Sequence, residues 1–319
     1  MNIPRQAAHY ESVGVQQKEP APGSVHAMSR ILILTVLAIL VTSCHRNRNM
    51  IIIKGSDTEV NLVSDFAESF KRIRPASRIA VTGGGSGTGI AALINRTADI
   101  ANASRPMKSH ERSLAKKNGV EPRTIVIATD GLAIIVHPEN PVRWISLPQL
   151  AAVFRGEIRN WGELGGPDRR ITCYGRQSNS GTFEFFKTVV LGGGDFDASV
   201  LQMNGNAQIV ASLGQDPGGI GYVGVGYVQG PGQRLRTLPV ARDDRSRACL
   251  PVEENITNAR YPLTRPLYQY INGAPGPELK RFLEFCISSE AARIVRANGF
   301  FPLQPEHHRI NRASGLTRT

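Results

Sequence analysis

Arg176-Gln177-Ser178-Asn179-Ser180-Gly181-Thr182-Phe183-Glu184-Phe185-Phe186 is the stretch on which the reading of this chain turns. The short apolar run 171–174 ahead of it predicts a strand. The Phe, Val and Leu spacing of 183–191 behind it predicts a helix packed on a sheet. Between them lie one fixed positive charge, three hydroxyls and a glycine. Ser180 is a natural N-cap, and Gly181 leaves the first backbone N–H groups open to a ligand. A helix N-terminus has unpaired N–H donors and a partial positive charge, so it suits an anion. Arg176 adds a planar fork that can grip two oxygens of a tetrahedral anion. The same residues would equally make an ordinary capped turn with a solvated Arg, so the rest of the chain must decide.

Towards the N-terminus the pattern recurs. Residues 51–54 predict a buried strand, Gly55-Ser56-Asp57-Thr58 a loop, and 59–74 a helix with Val60, Val63, Phe66, Ala67 and Phe70 at helical spacing, stopped by Pro75. A second strand, 78–82, leads into Gly83-Gly84-Gly85-Ser86-Gly87-Thr88-Gly89 and a helix over 90–95. A third strand, 99–102, ends in Ala103-Ser104-Arg105-Pro106. Strand, polar loop and helix in succession imply an α/β architecture with a mainly parallel sheet. In such sheets the loops at the carboxyl ends of the strands line the ligand site. Ser56/Asp57/Thr58, Ser86/Gly87/Thr88 and Ser104/Arg105 are therefore delivered to one edge. That set suits a dehydrated oxyanion, each charge-assisted hydrogen bond contributing about 1.5–3 kcal/mol.

The glycine loop fails as a nucleotide motif. Gly84 to Gly89 has the Walker A spacing, but Ile90 stands where the lysine belongs. Gly83 and Gly85 fit the start of G-x-G-x-x-G, but Thr88 replaces its last glycine.

Further along, 125–137 predicts a long apolar strand, interrupted by Asp130-Gly131, whose length suits a crossing between lobes. Helices are expected over 144–153, 206–213, 278–288 and 291–297, and strands over 217–222, 235–240 and 267–271. Residues 306–319 are basic and polar and are expected to be a disordered tail.

The 319 residues leave room for two domains, and the formal charge of +12 points to nucleic acid, anionic lipid or small anions. The basic residues are scattered, without a stripe of Lys/Arg and aromatics, which disfavours nucleic acid. Residues 29–44 read as an export signal. Arg30 precedes an apolar run, 31–41, that is too short to span a bilayer. The run ends in Val41-Thr42-Ser43-Cys44, which resembles a bacterial lipoprotein cleavage box with Cys44 as the acylated residue. Residues 1–27 do not fit in front of such a signal, so the expected start is Met28, with 28–44 as the signal peptide. Of Cys173, Cys249 and Cys286 at most one pair can form a disulfide. No C-x-x-C or zinc-like Cys/His spacing occurs, so neither a metal nor a cofactor is expected. Gly-x-Ser-x-Gly is absent, and His110 and His137 lie outside the anion loops, which disfavours a hydrolase.

Five ordered segments together carry a resemblance over about 51–303. They are Gly55–Thr58, the Gly83–Gly89 loop, Ala98-Asp99-Ile100-Ala101-Asn102-Ala103-Ser104-Arg105, Arg176–Thr182 and Tyr261-Pro262-Leu263-Thr264-Arg265-Pro266. They are similar to the substrate-binding lipoproteins of bacterial ABC-type phosphate uptake systems, the PstS family. The resemblance implies a two-lobe, type II periplasmic-binding-protein fold: each lobe a mainly parallel sheet flanked by helices, with two hinge strands between. Lobe 1 would be 50–130 plus 262–305, and lobe 2 131–261. It implies phosphate ligands at Thr58, the N–H of Glu59, Ser86, Arg176, Ser180, Gly181 and Thr182. Arg105 stands where well-known members carry an Asp and is counted with them, so the acceptor for the proton of hydrogen phosphate is expected at Glu59 or Asp57. The implied protein is an exported, lipid-anchored monomer of the cell envelope. Its partners would be inorganic phosphate and an ABC permease; it would have no catalytic role. A sensor, or a binder of sulfate or molybdate on the same fold, is the alternative.

Overall fold

The computed structural model describes residues 50–228 and 234–316, and of the first 49 residues only Gly14. The signal at 28–44, its Cys44 and otherwise the extension 1–27 lie outside the described residues. The chain opens with β1 (Met50–Gly55), α1 (Val60–Ile73), β2 (Arg78–Gly84), α2 (Ser86–Ile94), β3 (Ile100–Ala103) and α3 (Ser109–Lys117). The long β4 (Pro122–Val136) follows, then β5 (Ile145–Ser146), α4 (Leu147–Phe154), β6 (Thr172–Arg176), α5 (Gly181–Val189), β7 (Leu201–Met203) and α6 (Asn206–Leu213). Next come β8 (Gly219–Gly224), β9 (Arg236–Leu238), β10 (Val240–Ala241), α7 (Glu253–Thr257) and β11 (Thr264–Asn272). The chain ends in α8 (Pro277–Cys286), α9 (Ser289–Ala297) and α10 (Pro305–Ala313).

The α/β reading holds. Two parallel blocks, β2-β1-β3 and β8-β6-β7, flank an antiparallel centre made of β11 and β4. β4 serves both blocks. Its residues 122–131 pair with β11, and its residues 132–136 pair with β8, on the opposite edge. Residues 125–136 are buried without a break, which is why this strand reads as apolar runs on either side of Thr129-Asp130-Gly131 rather than as an alternating pattern.

α1 packs on β2 and α8 and buries Leu62, Val63, Phe66 and Phe70, of which Val63, Phe66 and Phe70 carry the helical spacing seen in the sequence. Phe66 and Phe70 meet Phe285 and Phe282 of α8 edge-on, at centroid distances of 6.3 and 5.4 Å. A second aromatic group supports the other parallel block: Phe186 of α5 stacks on Tyr222 of β8 at 4.2 Å, with Phe154 of α4 beside both. Each such buried ring contributes roughly 1.5–3 kcal/mol relative to an exposed one. Cys173, Cys249 and Cys286 are all free thiols, and burial pushes Cys173 up to about 12.

Residues 305–316 correct the expected disordered tail. They form α10 and a following turn, ending on the buried Leu316. The cause is an open strand edge. Where β11 covers one side of β4 and β8 has not yet begun, the other side needs hydrogen-bond partners. Phe301 pairs with Thr129. Ser314 Oγ donates to the Thr124 carbonyl at 2.6 Å. Asn311 then takes both polar groups of Val126: its Nδ2 donates to the carbonyl at 2.9 Å and its Oδ1 accepts from the N–H at 2.8 Å. A buried amide here replaces a neighbouring strand, which the polar composition of the segment conceals.

Asn311→Ala should therefore leave both backbone groups of Val126 unpaired in the interior. Urea unfolding should show a loss of about 2–4 kcal/mol with an unchanged denaturant slope. A loss below about 0.5 kcal/mol would mean that the amide does not complete the strand edge.

Candidate anion-binding site

Four turns at strand ends converge. The first is the β1–α1 loop, with Thr58 buried and its Oγ1 2.8 Å from the Oγ1 of Thr182 at the start of α5. The second is the N-terminus of α2. This helix begins at Ser86, inside the glycine loop, earlier than the sequence suggested, because Gly85 takes a φ of +93° that a side chain would resist. The third is the end of β3, where Ser104 N–H donates to Ser86 Oγ at 3.1 Å. The fourth is the loop 177–180, which docks on the glycine loop: Gly87 N–H donates to the Asn179 carbonyl at 2.9 Å, and Asn179 Nδ2 donates to the Gly84 carbonyl at 2.9 Å.

Gly181 shows how tight this meeting is. A Cβ there would stand 2.3 Å from Ser86 Oγ and 2.6 Å from Ser104 Oγ, so only glycine lets the backbone approach both hydroxyls. Ser180 caps α5 as expected, its Oγ accepting from the N–H groups of Thr182 and Phe183 at 3.1 and 3.4 Å.

Two guanidiniums are buried against these turns. Arg176, 2% exposed, ends β6. Its Nη2 donates to Asp57 Oδ2 and to the Asn204 carbonyl, and its backbone N–H donates to the Tyr222 hydroxyl at 3.2 Å. Among the described residues its Nε and Nη1 have no hydrogen-bond partner. Arg265, 3% exposed, comes from β11. Its Nε and Nη2 donate to Asp130 Oδ2 at 2.9 and 2.7 Å, and Nη2 also reaches Thr182 Oγ1 at 3.1 Å and Thr58 Oγ1 at 3.4 Å. Its Nη1 has no partner among the described residues.

Thr58, Ser86, Arg176, Ser180, Gly181 and Thr182 are thus brought together. Arg105 is placed differently. Its Nη1 and Nη2 donate to the two carboxylate oxygens of Glu111 at 2.8 and 2.7 Å, and Nη1 also donates to the Pro106 carbonyl. Its fork is taken up by the start of α3, where Glu111 also accepts from the Lys108 N–H. Glu111 stays below the usual carboxylate range: burial opposes this, but the Arg105 and Lys108 hydrogen bonds outweigh it. The cation that faces the hydroxyls is Arg265, which sequence reasoning met only as part of Tyr261–Pro266.

Asp57 and Glu59 also part company. Asp57 has both oxygens in use, Oδ2 on Arg176 and Oδ1 on the Gly84 N–H. Glu59 is fully buried, and among the described residues neither Oε has a partner within ordinary hydrogen-bond geometry. Burial pushes its carboxyl well above the usual range; the Arg265 charge and the nearby Ser56 hydroxyl oppose the rise and Asp130 adds to it. Among the described residues, no group of three or more His, Cys, Asp or Glu side chains is placed to hold a metal ion.

The fold and this hydroxyl-lined pair of buried cations define an anion-binding α/β protein. A PBP superfamily domain matches residues 41–290. The phosphate-binding protein PstS of Pseudomonas aeruginosa is 34% identical over 266 residues, 78% of this chain and 81% of that one. The crystal structure of a putative phosphate ABC transporter substrate-binding protein from Clostridium perfringens, with bound phosphate, superposes with a TM-score of 0.71 at 28% identity, over 80% of this chain and 100% of that one. An ABC-type phosphate transport receptor from Vibrio cholerae gives 0.64 at 27% identity, over 79% and 100%. The chain belongs to the PBP superfamily and, within it, to the family of the phosphate-binding protein PstS.

Glu59 gives this site a pH signature. The unfolded chain takes up this proton near pH 4.5, the folded chain at a higher pH. Between the two values the native state holds more protons, so stability falls as pH rises through that window. Glu59→Gln removes the fall. Its melting temperature should match the parent near pH 4.5 and exceed it at about pH 8; parallel curves for the two proteins would refute the assignment.

Proposed function

We propose that this protein captures inorganic phosphate at the junction of these four turns and delivers it to the permease of an ABC transporter. The observation that carries the reading is the pair of Arg176 and Arg265. Both are buried, each is fixed on one side by a carboxylate, and each keeps N–H donors that find no partner among the described residues; Arg265 does so beside the hydroxyls of Thr58 and Thr182. Such donors match an anion with several oxygens: a guanidinium fork takes two, and hydroxyls and N–H groups take the rest. The family supports the same ligand, since the relative in Pseudomonas aeruginosa is named for phosphate and the Clostridium perfringens protein holds it.

In this reading the ligands are Thr58, the N–H of Glu59, Ser86, Arg176, Ser180, Gly181 and Thr182. Arg105 supports the end of β3 from behind through Glu111. Of the two carboxylates considered as acceptors for the proton of hydrogen phosphate, Glu59 is the one with free oxygens. Residues 50–130 with 262–305, and 131–261, act as two lobes that close on the anion, the crossing strands β4 and β11 acting as hinges. Acylation at Cys44 holds the exported monomer at the membrane face, where the permease lies. In this reading the hydroxyls bind and do not attack: Ser180 Oγ is engaged in capping α5, and Thr58 and Thr182 lie against each other and against Arg265, a cation rather than a base.

Thermal unfolding with a panel of anions tests the reading. Phosphate at about 100 times its Kd should stabilise the protein by roughly 2.7 kcal/mol, raising Tm by about 5–10 °C. Chloride and nitrate should leave Tm unchanged. A melting curve that does not move in millimolar phosphate would overturn the proposal.

A further inference from the structure

We propose that Arg265 is a second anion-holding guanidinium, and that it sets the direction of the hydroxyls beside it. The inference rests on the reading of this site as a phosphate site, and adds to it a residue and a division of labour.

Arg265 and Arg176 are built alike. Each has one edge fixed by a carboxylate from another segment, Asp130 for Arg265 and Asp57 for Arg176, and each keeps buried N–H groups without a partner. Asp130 is itself locked, its Oδ1 accepting from the Val225 N–H at 3.0 Å. Phe185 covers one face of the Arg265 guanidinium at 5.2 Å, so the group has little freedom to turn away. A guanidinium oriented from two sides, with one nitrogen left over, is positioned to hold a ligand rather than to fill space.

The hydroxyls follow from it. Arg265 Nη2 reaches both Thr58 Oγ1 and Thr182 Oγ1, and a guanidinium has donors only. One Nη2 hydrogen is taken by Asp130 Oδ2, so the other is shared between the two oxygens; both face it as acceptors, and their own hydrogens must point elsewhere. One hydrogen can bridge the 2.8 Å between the two oxygens, and at least one is left for another acceptor. A cation on the far side strengthens that hydroxyl as a donor, since hydrogen bonds in a chain polarise one another. Arg265 thus acts twice: through Nη1 on the anion directly, and through Nη2 by making the Thr58–Thr182 pair a donor.

Calorimetric titration of the full chain with inorganic phosphate tests this, using two variants. Arg265→Gln combined with Asp130→Asn removes the buried ion pair as a unit, so that no charge is left unpaired. Arg265→Lys keeps the charge but loses the fork. The combined variant should keep its ligand-free Tm within a few degrees and bind phosphate roughly 10- to 100-fold more weakly; Arg265→Lys should lie between it and the parent. Thr182→Val should cost less affinity on the Arg265→Lys background than on the parent, a coupling that a merely structural arginine would not produce. If the combined variant does not fold, Arg265→Lys with and without Thr182→Val decides by itself. Affinities within threefold of the parent, or full additivity with Thr182→Val, would overturn the proposal. A parent protein that binds no phosphate would instead sink the functional reading.

Discussion

Positive charge held away from water is the constraint on which this structure depends. Arg176 and Arg265 are 2% and 3% exposed, and a lone guanidinium at that depth would be strongly unfavourable. Each is held by a carboxylate that the chain must bring from elsewhere. Asp57 leaves the end of β1 to meet Arg176 at the end of β6. Asp130 and Arg265 lie directly opposite one another in the β4–β11 pairing. The sheet order is therefore also a charge arrangement. The central antiparallel pair fixes one ion pair by register, and the two parallel blocks supply the strand ends that form the other.

The packing of the turns serves the same end. Four loops can share one small volume only if backbone approaches side chain more closely than a Cβ permits. Gly181 against Ser86 and Ser104 is that approach, and Gly85 supplies the positive φ that starts α2 where its hydroxyl is needed. Asn179 then ties the two loops through the Gly84 carbonyl and the Gly87 N–H. These close approaches and hydrogen bonds draw the hydroxyls together.

Most of this was legible in the sequence wherever a local pattern had one physical meaning. The helical spacing from Val60 to Phe70, the long apolar run of β4 and the Ser180 cap each gave the right element, because nearest-neighbour chemistry decides them. What was hidden is partnership across the chain. Arg105 looked like a ligand because it follows Ser104 at a strand end, yet Glu111, six residues on in the first turn of α3, holds both of its Nη atoms. Arg265 stood out only as part of the segment Tyr261–Pro266, and its partner Asp130 lies 135 positions away. Asn311 looked like part of a polar tail until β4 is seen to lack a neighbour there. Composition reports how polar a segment is, not which buried group will need it.

The balance of charge around the hydroxyls bears on what kind of anion such a site prefers. Arg176 is matched by Asp57 and Arg265 by Asp130, and Glu59 beside them is held towards its neutral form by burial. The site is therefore not a pool of excess positive charge that would draw any small anion. What it offers is direction: N–H and O–H groups oriented by those same carboxylates, in an interior where each such bond is stronger than in water. A halide can satisfy only a few of them and leaves the others buried and unpaired, which is unfavourable in itself. A tetrahedral oxyanion can meet donors arriving from four turns at once. Preference for its shape then follows from the near-neutrality of the site, because with little net charge to reward a poor fit, affinity rests on how many donors find an oxygen.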